Sequence, residues 1–157
     1  MIIIGIDPGT TTIGYAVIKK EKNKIEILDY GVISTTPKAS LKDKLSEIGD
    51  DLKKLFLKYK PDIGVVEKLF FTNNLKTGID VAQVRGVIIY LLSINDIFIC
   101  EYTPLELKKG ICGNGKASKK QMQNAIKILF GLDEIPKPDD ASDAMGLAYL
   151  GNNKKSF

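Results

Sequence analysis

The stretch IIIGIDPGTTTIGYAVIKKEKNKIEILDYGVIS, residues 2–34, decides the fold. It begins with a nearly continuous apolar run at residues 2–7, which is typical of a strand buried on both faces of a sheet. Two further runs of strand composition follow, each after a triplet of turn-forming residues: residues 12–18 after Pro8-Gly9-Thr10, and residues 25–34 after Glu21-Lys22-Asn23. The stretch therefore predicts a meander of three antiparallel strands.

From Ser40 onward the sequence predicts helices that alternate with strands. Apolar residues recur every three or four positions between Ser40, a predicted N-cap, and Pro61, which stops the helix. The same signals predict strands at residues 63–67 and 97–102, and helices at residues 75–94 and 104–109, after a capping box at residues 118–121, and from Asp139 onward. This order predicts an α/β fold, a mixed five-stranded sheet flanked by helices on both faces, with the last two strands parallel to the first.

Composition places the chain among globular proteins. It has 157 residues, 44% hydrophobic and 27% charged, and a domain of this size buries roughly 68–70% of the surface of its unfolded chain. We expect one domain at residues 1–151 and a flexible tail at residues 152–157. The first apolar run stops at Asp7 without a basic region before it, and no apolar stretch reaches the ~20 residues of a membrane span. We therefore expect a cytoplasmic protein with no membrane partner.

The absence of histidine restricts the chemistry. It removes the commonest general base, the Ser-His and Cys-His nucleophiles and the usual Cys/His zinc sites. Cys100 and Cys112 are too few for a disulfide framework and are expected to be buried, reduced thiols. Any hydrolysis must then rely on carboxylates, lysines or metal-bound water.

The predicted helix at residues 75–94 lacks a clean polar face. A helix that is apolar nearly all round is buried on more than one side. Two interpretations stay open: burial in the core of the domain, or packing of part of its surface against a second subunit.

Two carboxylates end apolar strands. Asp7 follows the first predicted strand, and Glu67 follows the apolar residues 63–66. Because the carboxyl ends of parallel strands open onto one crevice, both acids face the same cleft if their strands are neighbours. For each acid alone, a strand-terminal or capping role is the alternative.

A second pair of carboxylates lies at the start of the last predicted helix. Asp140 and Asp143 are three residues apart and share a face with Ala144 and Leu147, which is the face turned to the sheet. N-capping accounts for Asp139 but leaves Asp143 unexplained.

Four inward carboxylates repel one another, and bound divalent cations would neutralise them. All-oxygen ligation suits magnesium or manganese rather than zinc, and two ions about 3.5–4 Å apart form the clamp used for in-line displacement at a phosphodiester. The sequence therefore predicts metal-assisted phosphodiester hydrolysis by metal-activated water.

Lysines border these acids. Residues 104–131 hold six lysines and one acid, a local charge of +5, whereas residues 132–143 have a local charge of −4. A basic band beside an acidic pocket suits a phosphate backbone, and for any one lysine a solvated helix face is the alternative. The Gly113-Asn114-Gly115-Lys116 loop adds amides that could approach phosphate, which is a weak signal.

An aromatic pair, Phe70 and Phe71, closely follows Glu67 and precedes a polar segment. Stacking on bases, or wedging between them, is the functional interpretation. Packing in the core is the alternative, more so for Phe71.

Four motifs together resemble the RuvC family, the bacterial Holliday-junction resolvases of the RNase H-like fold. They are IGIDPGT at residues 4–10, VVEKLF at 65–70, GNGKA at 113–117 and DASDA at 140–144, so the resemblance covers essentially the whole chain. The Asp-x-Gly-Thr start alone is shared with sugar kinases and actin-like ATPases. All four motifs in this order within about 160 residues are a strong signal.

The resemblance implies the residues of the site. Two magnesium ions per site, for which manganese would substitute, would be held by Asp7, Glu67, Asp140 and Asp143. Some members of the family have a histidine where Asp140 stands. DNA-binding residues would be Phe70, which perturbs base pairing at the crossover, Lys108 and Lys119 at the phosphate near the scissile bond, and Lys116 and Lys120 in the basic stretch.

The resemblance also implies an assembly and a function. Members are homodimers, because two matched nicks in a junction of approximate twofold symmetry need two sites related by that axis. The helix at residues 75–94 would supply part of this interface, and a branch-migration motor of the RuvA and RuvB type would hand over the junction. We expect a magnesium-dependent endonuclease that resolves Holliday junctions by symmetric nicking of two opposing strands in recombination and repair.

Three alternative functions compete with this expectation. An RNase H-like nuclease acting on RNA would not need a dimer. An ATP-binding module would use residues 7–10 as a phosphate loop, but such proteins carry two such domains and are usually more than twice as long. A junction-binding protein without activity is disfavoured because all four acids are present.

Overall fold

The computed structural model of the chain describes residues 1–22, 24–69 and 75–152, without the side chains of residues 75 and 76. Five strands form one sheet: β1 (Ile2–Asp7), β2 (Thr12–Glu21), β3 (Lys24–Ser34), β4 (Ile63–Glu67) and β5 (Phe98–Tyr102). Five helices cover it: α1 (Leu41–Tyr59), α2 (Leu75–Ile94), α3 (Pro104–Cys112), α4 (Lys119–Leu129) and α5 (Asp139–Gly151).

The sheet is mixed, with strand order β3-β2-β1-β4-β5. The first three strands pair antiparallel as a meander, and β4 and β5 run parallel to β1. This arrangement confirms the predicted fold class. Of the predicted turn at residues 21–23, Asn23 lies outside the described residues.

The two faces of the sheet bury two separate apolar clusters, because side chains alternate along each strand. Ile3 and Val65 point to the face covered by α3, α4 and α5. Ile4 and Val66 point to the opposite face, covered by α1 and α2. The nearly continuous apolar sequence of β1 follows from this double burial.

Glycines in β1 and β2 let α5 lie directly on the sheet. A Cβ atom at Gly5 would come within 2.1 Å of the Ala144 carbonyl oxygen, and one at Gly14 within 2.0 Å of the Asp140 carbonyl oxygen. No side chain fits in either place. The amino-terminal half of α5 is therefore held in backbone contact with these two strands.

The helix ends mostly agree with the sequence signals. Ser40 caps α1 by accepting a hydrogen bond from the Asp43 amide, and Ser118 and Gln121 form the predicted capping box of α4. Helix α3 runs to Cys112, beyond the predicted end at Lys109, because its left-handed cap residue is Gly113.

Helix α2 presents apolar side chains to solvent as well as to the core. Val84, Ile88 and Leu92 are buried against the sheet, whereas Ile79 is 56% exposed and Tyr90 62%. Burial in the core therefore explains the apolar residues on one side of α2 but not those on its exposed side. Within the described residues, Thr77–Ile94 is one segment long and apolar enough to cross a membrane, a test that core helices of globular proteins also pass.

The C-terminal boundary differs slightly from the expectation. Asn152, predicted to begin the flexible tail, is buried, and its carbonyl accepts a hydrogen bond from the Lys20 ammonium at 2.6 Å. The rest of the predicted tail, residues 153–157, lies outside the described residues.

Candidate active site

The first two acids lie side by side at the carboxyl ends of neighbouring strands. In the parallel pairing of β1 and β4, Gly5 lies opposite Val65 and Ile6 opposite Val66, so the register brings Asp7 and Glu67 together at the next position. Both side chains continue the face of Gly5 and Val65, which is the face covered by α5. The sequence prediction of a shared cleft required this adjacency.

Helix α5 brings the other two acids to the same place. Its first turn rests on Gly14, the partner of Asp7 in the β1–β2 pairing, so Asp140 stands beside Asp7. Asp143 lies three residues further along the helix, on the same face. The positive end of the helix dipole faces these carboxylates and partly offsets the cost of their burial.

Electrostatics confirm that the acids interact. Burial, followed by repulsion from Glu67, Asp143 and Asp140, raises the pKa of Asp7 to about 8. Burial and the charge of Asp143 raise the pKa of Glu67 to about 7. The pKa of Asp143 is also raised, mainly by burial. Carboxylates in such surroundings need positive charge to be ionised at neutral pH.

Two lysines supply part of that charge from the rim of the cluster. Lys119 lowers the pKa of Asp7 and of Asp143, while Lys108 lowers the pKa of Glu67 and of Asp143. Lys108 is half-buried on α3, and Lys119 is the first residue of α4. The structure thus brings together four predicted acids and two predicted lysines.

The other predicted DNA-binding residues are outside this cluster or outside the described residues. Lys116 lies exposed in the turn between α3 and α4, and Lys120 lies exposed on the first turn of α4. Phe70, and Phe71 with it, fall in residues 70–74, which lie outside the described part of the chain.

The interpretation of Asp139 as an N-cap is wrong. The N-cap of α5 is Pro138, and no side chain caps the helix. Asp139 instead accepts a hydrogen bond from Gln123 and pairs with the Lys119 ammonium at 2.7 Å. Its carboxylate therefore links α5 to α4 and holds the lysine that lowers the pKa of Asp7 and Asp143.

Sequence analysis also missed Thr12. Its hydroxyl donates a hydrogen bond of 2.7 Å to Oδ2 of Asp140, although the two residues are 128 positions apart. The repeated threonines at residues 10–12 gave no sign of which one would reach the site. The glycine at residue 14, two positions later on the same face of β2, was the available signal that a helix approaches there.

The chemistry of the donors fits a hard divalent cation. The cluster offers only carboxylate oxygens, as magnesium and manganese prefer, and three of its acids carry raised pKa values. Within the described residues, no group of three or more Asp, Glu, Cys or His side chains is arranged to hold one ion jointly. Magnesium does not require such a cage, because it usually keeps several waters and binds one or two carboxylates together with substrate phosphates.

The fold and the site define a class of protein. A five-stranded sheet of this order, with carboxylates at the ends of its two central parallel strands and on the helix that crosses them, is the arrangement of an RNase H-like nuclease.

Comparison with known proteins identifies the family within that class. The model of the family "Crossover junction endodeoxyribonuclease RuvC" matches residues 3–150. A protein of this name from Fusobacterium nucleatum is 48% identical over 153 residues, covering 98% of this chain and 80% of the relative. Another from Halothermothrix orenii is 46% identical and covers 98% of this chain and 93% of the relative. The chain belongs to the RuvC family of crossover junction endodeoxyribonucleases.

A solved structure agrees with this assignment. The structure of T. thermophilus RuvC in complex with a Holliday junction substrate superposes with a TM-score of 0.87 at 25% sequence identity. The match covers 97% of each chain. The resemblance found from four short motifs is thereby confirmed, together with the RNase H-like fold and the endonuclease activity that define the family.

Proposed function

We propose that this chain resolves Holliday junctions by nicking two opposing DNA strands in recombination and repair, with Asp7, Glu67, Asp140 and Asp143 as its active-site residues. The convergence of these four acids at one edge of the sheet carries the proposal. They come from three distant parts of the chain, and their mutual repulsion adds to the effect of burial in raising the pKa of Asp7.

The four carboxylates would hold two magnesium ions, and manganese would substitute for them. Bound at such a site, divalent cations lower the pKa of water and stabilise the charge that develops at a phosphodiester in an in-line displacement. The chain has no histidine to act as a general base. Asp7 and Glu67 would bind and orient the cations. Burial raises the pKa of each carboxyl group, and a facing cation would lower it again and keep the carboxylate ionised.

The rim lysines would contact the DNA backbone. Lys108 and Lys119 lie where a phosphate bound at the acidic cluster would need charge compensation, and each already lowers the pKa of two of its acids. Lys116 and Lys120 would extend this contact along the amino terminus of α4. Such contacts position the backbone without reading sequence.

Phe70 would act on the bases at the crossover. It follows Glu67 by three residues, so it lies close to the proposed site in the chain. An aromatic side chain that wedges between bases unstacks them and favours a distorted junction. We expect Phe70→Ala to impair cleavage more than junction affinity, and equal cleavage would assign this residue to the core.

The protein would act as a homodimer through the exposed face of α2. Ile79, Gly86, Tyr90 and Ile94 recur at helical spacing on that face, and the three large side chains are 56%, 62% and 56% exposed. A Cβ atom at Gly86 would meet nothing within 4 Å. Glycine in an exposed helix is destabilising by about 1 kcal/mol relative to alanine, and close approach of a second backbone would explain it.

The family also implies a setting for the reaction. A branch-migration motor of the RuvA and RuvB type would deliver the junction, and the reaction would take place in the cytoplasm. Both stay predictions, and the test of the proposed function does not depend on either.

The test is cleavage of a synthetic four-way DNA junction in magnesium, with a linear duplex of the same sequence and a four-way RNA junction as alternative substrates. We expect paired nicks on opposing strands of the DNA junction only, and none in EDTA. Asp143→Asn should abolish cutting while junction binding is retained, because the carboxylate holds cations and not the backbone. Cleavage of the RNA alone, or full cleavage by Asp143→Asn, would contradict the proposal.

A further inference from the structure

We propose that Thr12 is a positioning residue for the cation site, because its hydroxyl fixes the orientation of the Asp140 carboxylate. The inference rests on the proposed function of Asp140 as a cation ligand. It adds to that function a residue of β2, a strand that contributes no acid to the site.

The geometry of β2 explains why Thr12 reaches Asp140. Gly14 pairs with Asp7, and the Asp140 backbone rests on it so closely that no Cβ atom fits between them. Thr12 precedes Gly14 by two residues, so its side chain points to the same face of the sheet. In β2, Gly14 therefore contacts the backbone of Asp140, and Thr12 hydrogen-bonds to its side chain.

The chemistry of the contact suits a cation ligand. A threonine hydroxyl donates one proton, and here it donates to the carboxyl oxygen Oδ2 of Asp140 in a short bond of 2.7 Å. The hydroxyl carries no charge, so it orients the carboxylate without competing with a cation for it. Lys119 differs in this respect, since its ammonium would repel a cation, and it is engaged by Asp139 instead.

Groups that hydrogen-bond to metal ligands commonly matter for metal binding, and their loss typically lowers metal affinity or activity about 10–100-fold. A purely structural role is the competing explanation, since the same bond also ties the first turn of α5 to β2. The two roles differ in what they predict for magnesium dependence. Loss of a purely structural hydrogen bond lowers the stability of the fold. Loss of a positioning residue raises the magnesium concentration at which the site is half-filled.

The experiment compares Thr12→Val, which keeps the shape and removes the donor, with Thr12→Ser, which keeps the donor. Thr35→Val is the matched control, because the buried Thr35 hydroxyl donates to a backbone acceptor, the Thr10 carbonyl, at 2.9 Å. For each protein, the rise in Tm with magnesium concentration gives the midpoint of cation binding. The magnesium dependence of junction cleavage gives a second midpoint.

We expect Thr12→Val to raise both midpoints by about 10-fold or more, with cleavage largely restored at saturating magnesium. Thr12→Ser should stay near the wild-type midpoints, and Thr35→Val should lower Tm without moving them. A wild-type midpoint in Thr12→Val overturns the inference, as does an equal shift in Thr12→Ser. If Thr12→Val does not fold, the comparison of Thr12→Ala with Thr12→Ser decides by the same criteria.

The outcomes also separate this inference from the proposed function. A wild-type protein that binds magnesium with a Thr12-dependent midpoint but cuts no junction overturns the proposed function alone. A wild-type protein that cuts junctions with midpoints independent of Thr12 overturns the inference alone.

Discussion

Replacing Asp7 by asparagine is expected to stabilise the protein in the absence of divalent cations, although it removes a residue of the proposed active site. Asparagine has nearly the same shape as aspartate, so the change deletes a charge without making a cavity. In the folded protein, burial and the repulsion of three neighbouring acids raise the pKa of Asp7 from 3.8 to about 8. The ionised side chain therefore destabilises the fold.

The sign and the size of the effect follow from this pKa. Between about pH 4 and pH 8 the unfolded chain releases a proton that the folded protein retains, so the free energy of unfolding falls as pH rises. Above about pH 8 the penalty is complete, and a shift of about four units corresponds to roughly 6 kcal/mol at most. Because the asparagine amide must also be desolvated, we expect a net stabilisation of about 2–4 kcal/mol at pH 8.

In magnesium, the wild-type protein should become more stable than Asp7→Asn. A cation that binds only the folded state stabilises it by about 2.7 kcal/mol at one hundred times its dissociation constant. The wild-type protein should gain this stability, and Asp7→Asn should gain much less because a ligand is missing. The higher stability of the variant in EDTA and its weaker stabilisation by magnesium have the same cause, the loss of the Asp7 charge.

The assay is urea unfolding of both proteins at pH 4.5 and pH 8, in EDTA and in magnesium. Asp51→Asn is the control, since Asp51 lies on the surface of α1 in an exposed pair with Lys54, and its change should stay within about 0.5 kcal/mol at both pH values. The reasoning is refuted if Asp7→Asn is less stable than wild type in EDTA at pH 8. It is equally refuted if the difference is the same at pH 4.5 and pH 8.

Three further predictions concern DNA binding and assembly. Lys119→Ala should weaken junction binding and reduce the slope of log affinity against log salt by about 1, and an unchanged slope would leave Lys119 as a solvated side chain. Asp139→Asn should tighten junction binding about 2–5-fold in a filter-binding assay, because it releases Lys119 from an exposed ion pair. The control Asp51→Asn, which releases Lys54 on α1, should leave the affinity unchanged. Equal gains in affinity would mean that only net charge matters. Tyr90→Lys should give a folded monomer in sedimentation velocity, and a persistent dimer would place the interface away from the exposed face of α2.

Local signals made much of the fold readable in advance. The continuous apolar run of β1, the Ser40 cap and the Ser118–Gln121 capping box act within a few residues, so they are visible in the sequence itself. The four acids were also identifiable, because a carboxylate at the end of an apolar strand or on the apolar face of a helix is out of place unless something binds it.

Other features depend on contacts between distant residues. The sequence showed that α2 lacks a clean polar face, but it did not show which apolar side chains are exposed, because composition does not say which side of a helix meets the sheet. Asp139 was interpreted as an N-cap because an acid at the start of a helix is a local signal. Its actual partner, Lys119 on α4, is distant in the sequence and gives no such signal. Only packing decides between them.

The sequence by itself predicted the succession of strands and helices along the chain and singled out the four acids, since these follow from residue types and their periods, and its four motifs indicated the family. The tertiary structure alone decided how the site is held together. Thr12 and Asp140 meet across 128 residues because Gly14 lets α5 rest on β2, and that contact depends on strand register and backbone approach. Periodicity records which way a side chain points, whereas only the folded chain shows what it meets there.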